Sequence, residues 1–202
     1  VTDVMAKSFS SSALDMDKFT NSMQYVAPIA KQVGIDVEGT TAILGTLANA
    51  GISGSMAGTS LRKILLELGN ESSALTKKIG FSVKNSDDLT KAFEKLNTMG
   101  LGTGEMKKLV GQRAISAFNI LLEGTKTTKE LAEELRNSAG AAQEMADIQL
   151  DNLEGKMTLL NSATEGLGIA LFDLADDSIT SVVTALTSLT SGMTTLIKYG
   201  FD

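Results

Sequence analysis

The sequence predicts an all-α protein: a multi-helix array of short helices, followed by a long heptad-bearing helix or coiled-coil segment. Three observations carry that prediction. Apolar residues recur at spacings of three and four along nearly all of the 202 residues. Only Phe81-Ser82-Val83 alternates in the manner of a strand, and that is too short a run to make one. Proline occurs once, at Pro28, while several of the 19 glycines sit between periodic stretches, where helices stop.

The elements follow in order. Phe19, Met23, Val26, Ala27, Ala30 and Val33 trace one helix face. Pro28 lies inside that run, and its missing N–H is expected to kink the helix or split it in two. Gly34 is the expected stop and Asp36 the N-cap of the next helix. That helix runs to about residue 50, with Val37, Leu44, Leu47 and Ala48 turned inward. Gly51-Ile52-Ser53-Gly54-Ser55 is a turn, and Ser53 or Ser55 caps a helix carrying Leu61, Ile64, Leu65 and Leu68 that ends at Gly69. Short helices are expected at 72–79 and 87–99, with Asp87 and Asp88 favoured by the positive end of the second helix dipole. Gly100-Leu101-Gly102-Thr103-Gly104 is the clearest flexible loop. Helices at 105–122, interruptible at Gly111, and at 128–137 complete a first domain over 1–140.

The second domain, 141–202, differs. Leu150, Leu153, Met157, Leu160, Thr164, Leu167, Leu171 and Leu174 alternate steps of three and four. After one extra residue the pattern resumes as Ile179, Val182, Leu186, Leu189, Met193 and Leu196. Such a heptad fits either a long helix packed on its own domain or self-association in a parallel bundle. Gly155, Gly166 and Gly168 each weaken the helix by about 1 kcal/mol, so a bend is expected near Gly166-Leu167-Gly168. Residues 178–197 carry no charge across 20 positions, the length of a membrane span, yet ten of them are Ser or Thr. An interface helix, a conditional membrane segment and a low-complexity stalk all fit that composition.

Composition excludes much chemistry. With no His and no Cys, a Ser-His-Asp or Cys-His relay cannot form, and zinc, copper and iron–sulfur sites lose their usual ligands. A carboxylate-only magnesium or calcium site and a two-carboxylate glycosidase survive that filter. Aromatic residues make up 4%, so the core is aliphatic. A formal charge of −6 opposes any general grip on nucleic-acid phosphates. The chain begins at Val1 inside a helical pattern, which reads as a piece of a longer protein.

Individual motifs add little chemistry. Gly51 to Ser60, with Arg62 beyond it, is similar to a phosphate-cradling loop. It lacks both the Lys before Thr59 and a preceding strand, so a turn with close helix–helix contact is the better reading. Asp87/Asp88 and Asp176/Asp177 are neighbours on a helix and diverge by about 100°, so neither pair converges on a substrate. Met23, Met106, Met145, Met157 and Met193 fit core filling better than a partner-binding surface.

One ordered set of motifs does carry information. It consists of Val26-Ala27-Pro28-Ile29-Ala30 and Gly34-Ile35-Asp36, then Leu47-Ala48-Asn49-Ala50-Gly51-Ile52-Ser53-Gly54-Ser55-Met56-Ala57-Gly58-Thr59-Ser60-Leu61-Arg62. Gly111-Gln112-Arg113-Ala114, Asn137-Ser138-Ala139-Gly140-Ala141-Ala142 and Leu153-Glu154-Gly155 follow. The set resembles the conserved domain of tailed-bacteriophage tail tape measure proteins, also called phage minor tail proteins. It covers about residues 1–170, and the 51–62 block is its specific part. The family often has Gly before the 87–99 helix, where this chain has Lys84-Asn85-Ser86.

The resemblance implies a very long helical protein that occupies the lumen of the phage tail tube and sets tail length during assembly in the host cytoplasm. It would leave the virion ahead of the DNA and enter the host envelope on infection. Implied partners are further copies of itself, a trimer favoured, the tail tube protein, tail-tip or baseplate proteins, tail assembly chaperones and, on ejection, the host membrane. No specific nucleic-acid binding, cofactor, metal or catalytic residue is implied. The residues of expected structural or interaction value are Pro28, Gly51, Gly54, Gly58, Arg62, Gly111, Leu153, Met157, Leu160, Leu167, Leu171 and Leu174. Arg62 is expected to bond a carboxylate or a helix C-terminus. The competing expectations are a membrane-active helical protein and a generic helical scaffold.

Overall fold

Asp15 opens the longest of the described helices: its carboxylate accepts the Lys18 N–H at 2.8 Å, as an N-cap should. In the computed structural model, which describes residues 1–150, 156–158 and 160–166, that helix is the second of a series. The series comprises α1 (Thr2–Ser11), α2 (Met16–Gln32), α3 (Val37–Asn49), α4 (Gly54–Gly69), α5 (Ala74–Ile79) and α6 (Ser86–Thr98). It continues with α7 (Thr103–Val110), a 3-10 turn (Gln112–Ala114), α8 (Ile115–Glu123), α9 (Thr125–Arg136) and α10 (Ala141–Leu150). No strand occurs among the described residues, so the fold is all-α. The chain divides into two units, Val1–Met145 and Ala146–Asp202.

Pro28 does not split α2, which runs unbroken through it. Pro28 and Gln24 are both exposed. The carbonyl that loses its donor therefore faces solvent, where water replaces the bond and the helix keeps its inner face intact. That inner face buries Phe19, Ser22, Val26 and Ala30. α2 stops where expected: Val33 closes it, and Gly34 follows at φ +74.

α3 departs from the single inward face read from sequence. Ten consecutive residues, Gly39 to Ala48, are buried or nearly so, while Val37 is only half-buried. The helix is enclosed by α1, α2, α4, α8 and α9. Its threonines tolerate enclosure because each hydroxyl turns back onto its own helix. Thr40 donates to the Asp36 carbonyl, Thr41 to that of Val37 and Thr46 to that of Ala42, so burial leaves no orphaned polar group. No buried side-chain N or O among the described residues lacks a partner.

The remaining elements show further differences. Ser53 occupies the N-cap position of α4, but its hydroxyl makes no capping bond. Residues 81–83 are not a strand; the Val83 N–H simply donates to the Leu68 carbonyl at 2.9 Å. The 100–104 loop is shorter than expected, because Leu101 is buried as an anchor and α7 already starts at Thr103. The stretch expected as 105–122 is interrupted at Gly111, as the sequence allows, and continues through the 3-10 turn into α8. α9 starts at Thr125, earlier than read, with the buried Thr125 hydroxyl bonded to the Leu121 and Leu122 carbonyls.

The main core gathers side chains from α2 through α8, with Phe118, Leu44, Leu47, Leu61 and Leu65 among its fully buried members. A smaller cluster of Val4, Ala42, Leu131, Ala132 and Leu135 joins α1 and α9 to α3. In the second unit, Met157 is exposed and Leu160 half-buried. Leu153, Leu167, Leu171 and Leu174, like the 178–197 stretch, lie outside the described residues.

Candidate functional site

The motif block meets its partner along α2. A Cβ built at Gly58 would overlap the Ser22 carbonyl oxygen, and one at Gly69 would press on Val33 at 2.9 Å. Both contacts pair a residue of α2 or its C-cap with the residue 36 positions later in α4, so the two helices run parallel, side by side, for about three turns. Ser22 secures the approach by donating its hydroxyl to both the Lys18 carbonyl and the Gly54 carbonyl, the latter at 2.9 Å. Gly58 is therefore held by space: two backbones meet there and no side chain fits between them.

The other glycines of the block have a different reason. A Cβ at Gly51 would meet nothing within 4 Å, and one at Gly54 only Asn21 at 3.9 Å. Gly51 stands at φ +84, just past the end of α3, where a left-handed residue closes a helix. The close approach expected at Gly51, Gly54 and Gly58 together is thus a property of Gly58 alone. Gly111, at φ +80 and ψ 162, occupies a backbone region that is essentially glycine-only, between α7 and the 3-10 turn. Arg62 is exposed one turn beyond Gly58, and its guanidinium pairs with no carboxylate among the described residues. The bond expected of it is not made there.

In a second constellation the sequence reading anticipates only the N-cap at Asp36, not its partners. Asp36 caps α3 by accepting the Gly39 N–H at 2.8 Å. The same carboxylate oxygen accepts the Ser86 hydroxyl at 2.8 Å, while Ser86 Oγ accepts the Asp36 N–H. Its other oxygen takes a two-nitrogen contact from Arg136, with Nη2 at 3.0 Å and Nε at 3.2 Å. One side chain thereby ties the start of α3 to the start of α6 and the end of α9. Burial pushes the Asp36 carboxyl up, but the Ser86 hydroxyl, the Gly39 N–H and Arg136 outweigh it and hold the group below its ordinary 3.8. The departure at Lys84-Asn85-Ser86 finds its use here. Asn85 caps α6 through the Asp88 N–H, and Ser86 reaches Asp36. A cleft of 280 Å³ lies beside this tie, lined by Ile35, Ile43, Phe93 and Ala132 among others.

The polar side chains of both constellations are engaged with neighbouring helices, Ser22 with Gly54 and Asp36 with Ser86 and Arg136. Asp87 and Asp88 serve in the first turn of α6. Among the described residues no three carboxylates gather as a metal site, and no helix is long and apolar enough to cross a membrane. What the arrangement does is fix helices against one another.

Comparison with known proteins agrees with the family resemblance. The chain is 29% identical, over 99% of its length, to the tape measure protein of Pneumococcus phage Dp-1. It is 32% identical, over 89% of its length, to the probable tape measure protein of Escherichia phage P2. It spans 19% of the first relative and 24% of the second. No solved structure gives a significant match. Residues 1–122, which contain the whole α2–α4 contact and nearly all of α8, match the family described as phage-related minor tail protein. The chain belongs to the phage-related minor tail protein family.

Proposed function

We propose that the chain is a structural, non-catalytic part of a tape measure protein, housed in the lumen of a phage tail, where the parent molecule sets tail length and assists genome delivery. The observation that carries this reading is similarity to one tape measure protein and one probable tape measure protein along almost the full chain rather than in one motif. The architecture supports it. The polar groups of the α2–α4 contact and the Asp36 tie hold helices together, leaving a scaffold rather than a reaction centre. Partners in this role are other tail components: the tube protein, tip or baseplate proteins, assembly chaperones and further copies of the chain, as a trimer.

The test is genetic. Removing residues 146–202 in frame from the parent gene is expected to shorten the tails seen by electron microscopy, by up to about 1.5 Å per residue if that stretch is helical along the tail axis. Tails of unchanged length, or normal tails assembled without the parent protein, would overturn the reading.

A further inference from the structure

Among the described residues, part of the outer side of the α2–α4 pair stays open. Ile29, Val33, Leu65, Leu66 and Val83 line a groove of 530 Å³. Leu66 is 40% exposed, as is Tyr25, one turn before Ile29. The parallel register sets Tyr25 level with residues 61 and 62, as it sets Ile29 level with 65 and 66. At its surface the strip carries Tyr25 and Ile29 from α2 and Leu66 from α4, over a buried floor of Val33, Leu65 and Val83. Exposed Leu and Tyr are ordinary singly; grouped with Ile29 at the mouth of one apolar groove they offer a contact surface.

Charge identifies the occupant. Lys31 lines the groove, and Arg62 stands one turn before Leu66; both are exposed and have no carboxylate partner among the described residues. The nearby acids are already engaged, Glu67 by Lys63 and Glu71 by Lys84. A partner for this strip is therefore aliphatic and acidic. The same chain carries such a sequence. Residues 144–177 hold eight acids and a single base, Lys156, so the negative charge of the chain is concentrated in that stretch. It is also the stretch in which leucines recur in heptads. Packing it against copies of itself in register would set carboxylates against carboxylates, whereas the α2–α4 strip offers cations beside an apolar floor.

We propose that the α2–α4 groove is a docking site for the acidic, heptad-patterned 144–177 segment of a second copy of this chain. The contact is heterologous, with one surface receiving and a different one inserting, so it passes from copy to copy and closes into a ring or continues as a filament.

Sedimentation velocity of the full chain tests it. The wild-type sedimentation coefficient is expected to rise with concentration and to fall with added salt. The double variant Arg62→Glu/Leu66→Asp, which alters two exposed side chains, is expected to weaken association at least about tenfold while keeping the wild-type thermal melt. Because a surface variant can also act indirectly, a charge swap completes the test. A chain carrying Asp151→Arg/Glu154→Arg is expected to associate poorly with itself but to bind the Arg62→Glu chain. A wild type that stays monomeric at every concentration overturns the proposal. So does a folded double variant that associates like the wild type, or a charge swap that restores nothing. None of these outcomes bears on tail length, so they leave the tape measure reading to its own experiment.

Discussion

Gly51 and Gly58 lie seven residues apart in one motif, yet the structure demands glycine at each for unrelated reasons. At Gly51 the demand is on the backbone angle, with open space around it. Gly51→Asn, which tolerates left-handed geometry, is therefore expected to cost well under about 1 kcal/mol. Gly58→Ala inserts a methyl group into the Ser22 backbone and is expected to cost about 1–3 kcal/mol, as overpacking does. Denaturant titration of the two variants checks the contrast; equal losses would contradict the assignment of space to one and angle to the other. Asp36 makes a pH prediction. Its carboxyl is held below the ordinary value, so the ionised tie adds stability that is full above about pH 3.8 and is lost as the pH falls toward its folded value. Asp36→Asn keeps an acceptor for Gly39 but no charge. The stability gap between wild type and Asn variant is expected to shrink as unfolding is measured from about pH 6 down to about pH 3. Arg136 and Asp36 are both substantially exposed, so the gap at neutral pH is small.

At the scale of elements, α2 shows how a helix accommodates a residue that should break it. The cost of Pro28 is limited because it falls on the wet side. Pro28→Ala restores one backbone hydrogen bond and is expected to stabilise the chain by about 1–3 kcal/mol, less what the flexible unfolded chain gains. A raised melting temperature would confirm it, and a lowered one would mean that the proline fixes a bend the α2–α4 contact needs. The same scale shows what a sequence can and cannot convey. Helix ends are legible at Gly34, Asp36 and Gly69 because caps and stops are local. The glycine-rich block suggests a close contact without telling which glycine makes it, and Ser22 as the partner of Gly58 depends on a parallel register that no local pattern encodes. Arg136 meets Asp36 across 100 positions of chain, a relation set by three helices at once. A hydrophobic pattern undercounts α3 because threonine scores as polar, and only the structure shows those hydroxyls satisfied within the helix.

For the whole molecule, both described cores fall inside residues 1–145: the main one built from α2 through α8, and the smaller one where α1 and α9 meet α3. A chain ending after Met145 is therefore expected to fold alone. Its thermal melt should be a single cooperative transition at nearly the temperature of the full chain, followed by circular dichroism at the helical band. A broad, non-cooperative melt would show that residues beyond 145 complete the core. Long-range pairings such as the Ala142 N–H to Asp3 at 3.0 Å close this unit end to end.

The enclosure of α3 has a consequence in time. Every residue from Gly39 to Ala48 sits behind another helix, so no local fraying of the surface brings water to its amide. Deuterium should reach those amides only when the surrounding helices come apart together, and their exchange should be the slowest in the chain, reporting the free energy of global opening. Retained protons on the α3 amides therefore report that this unit has stayed folded.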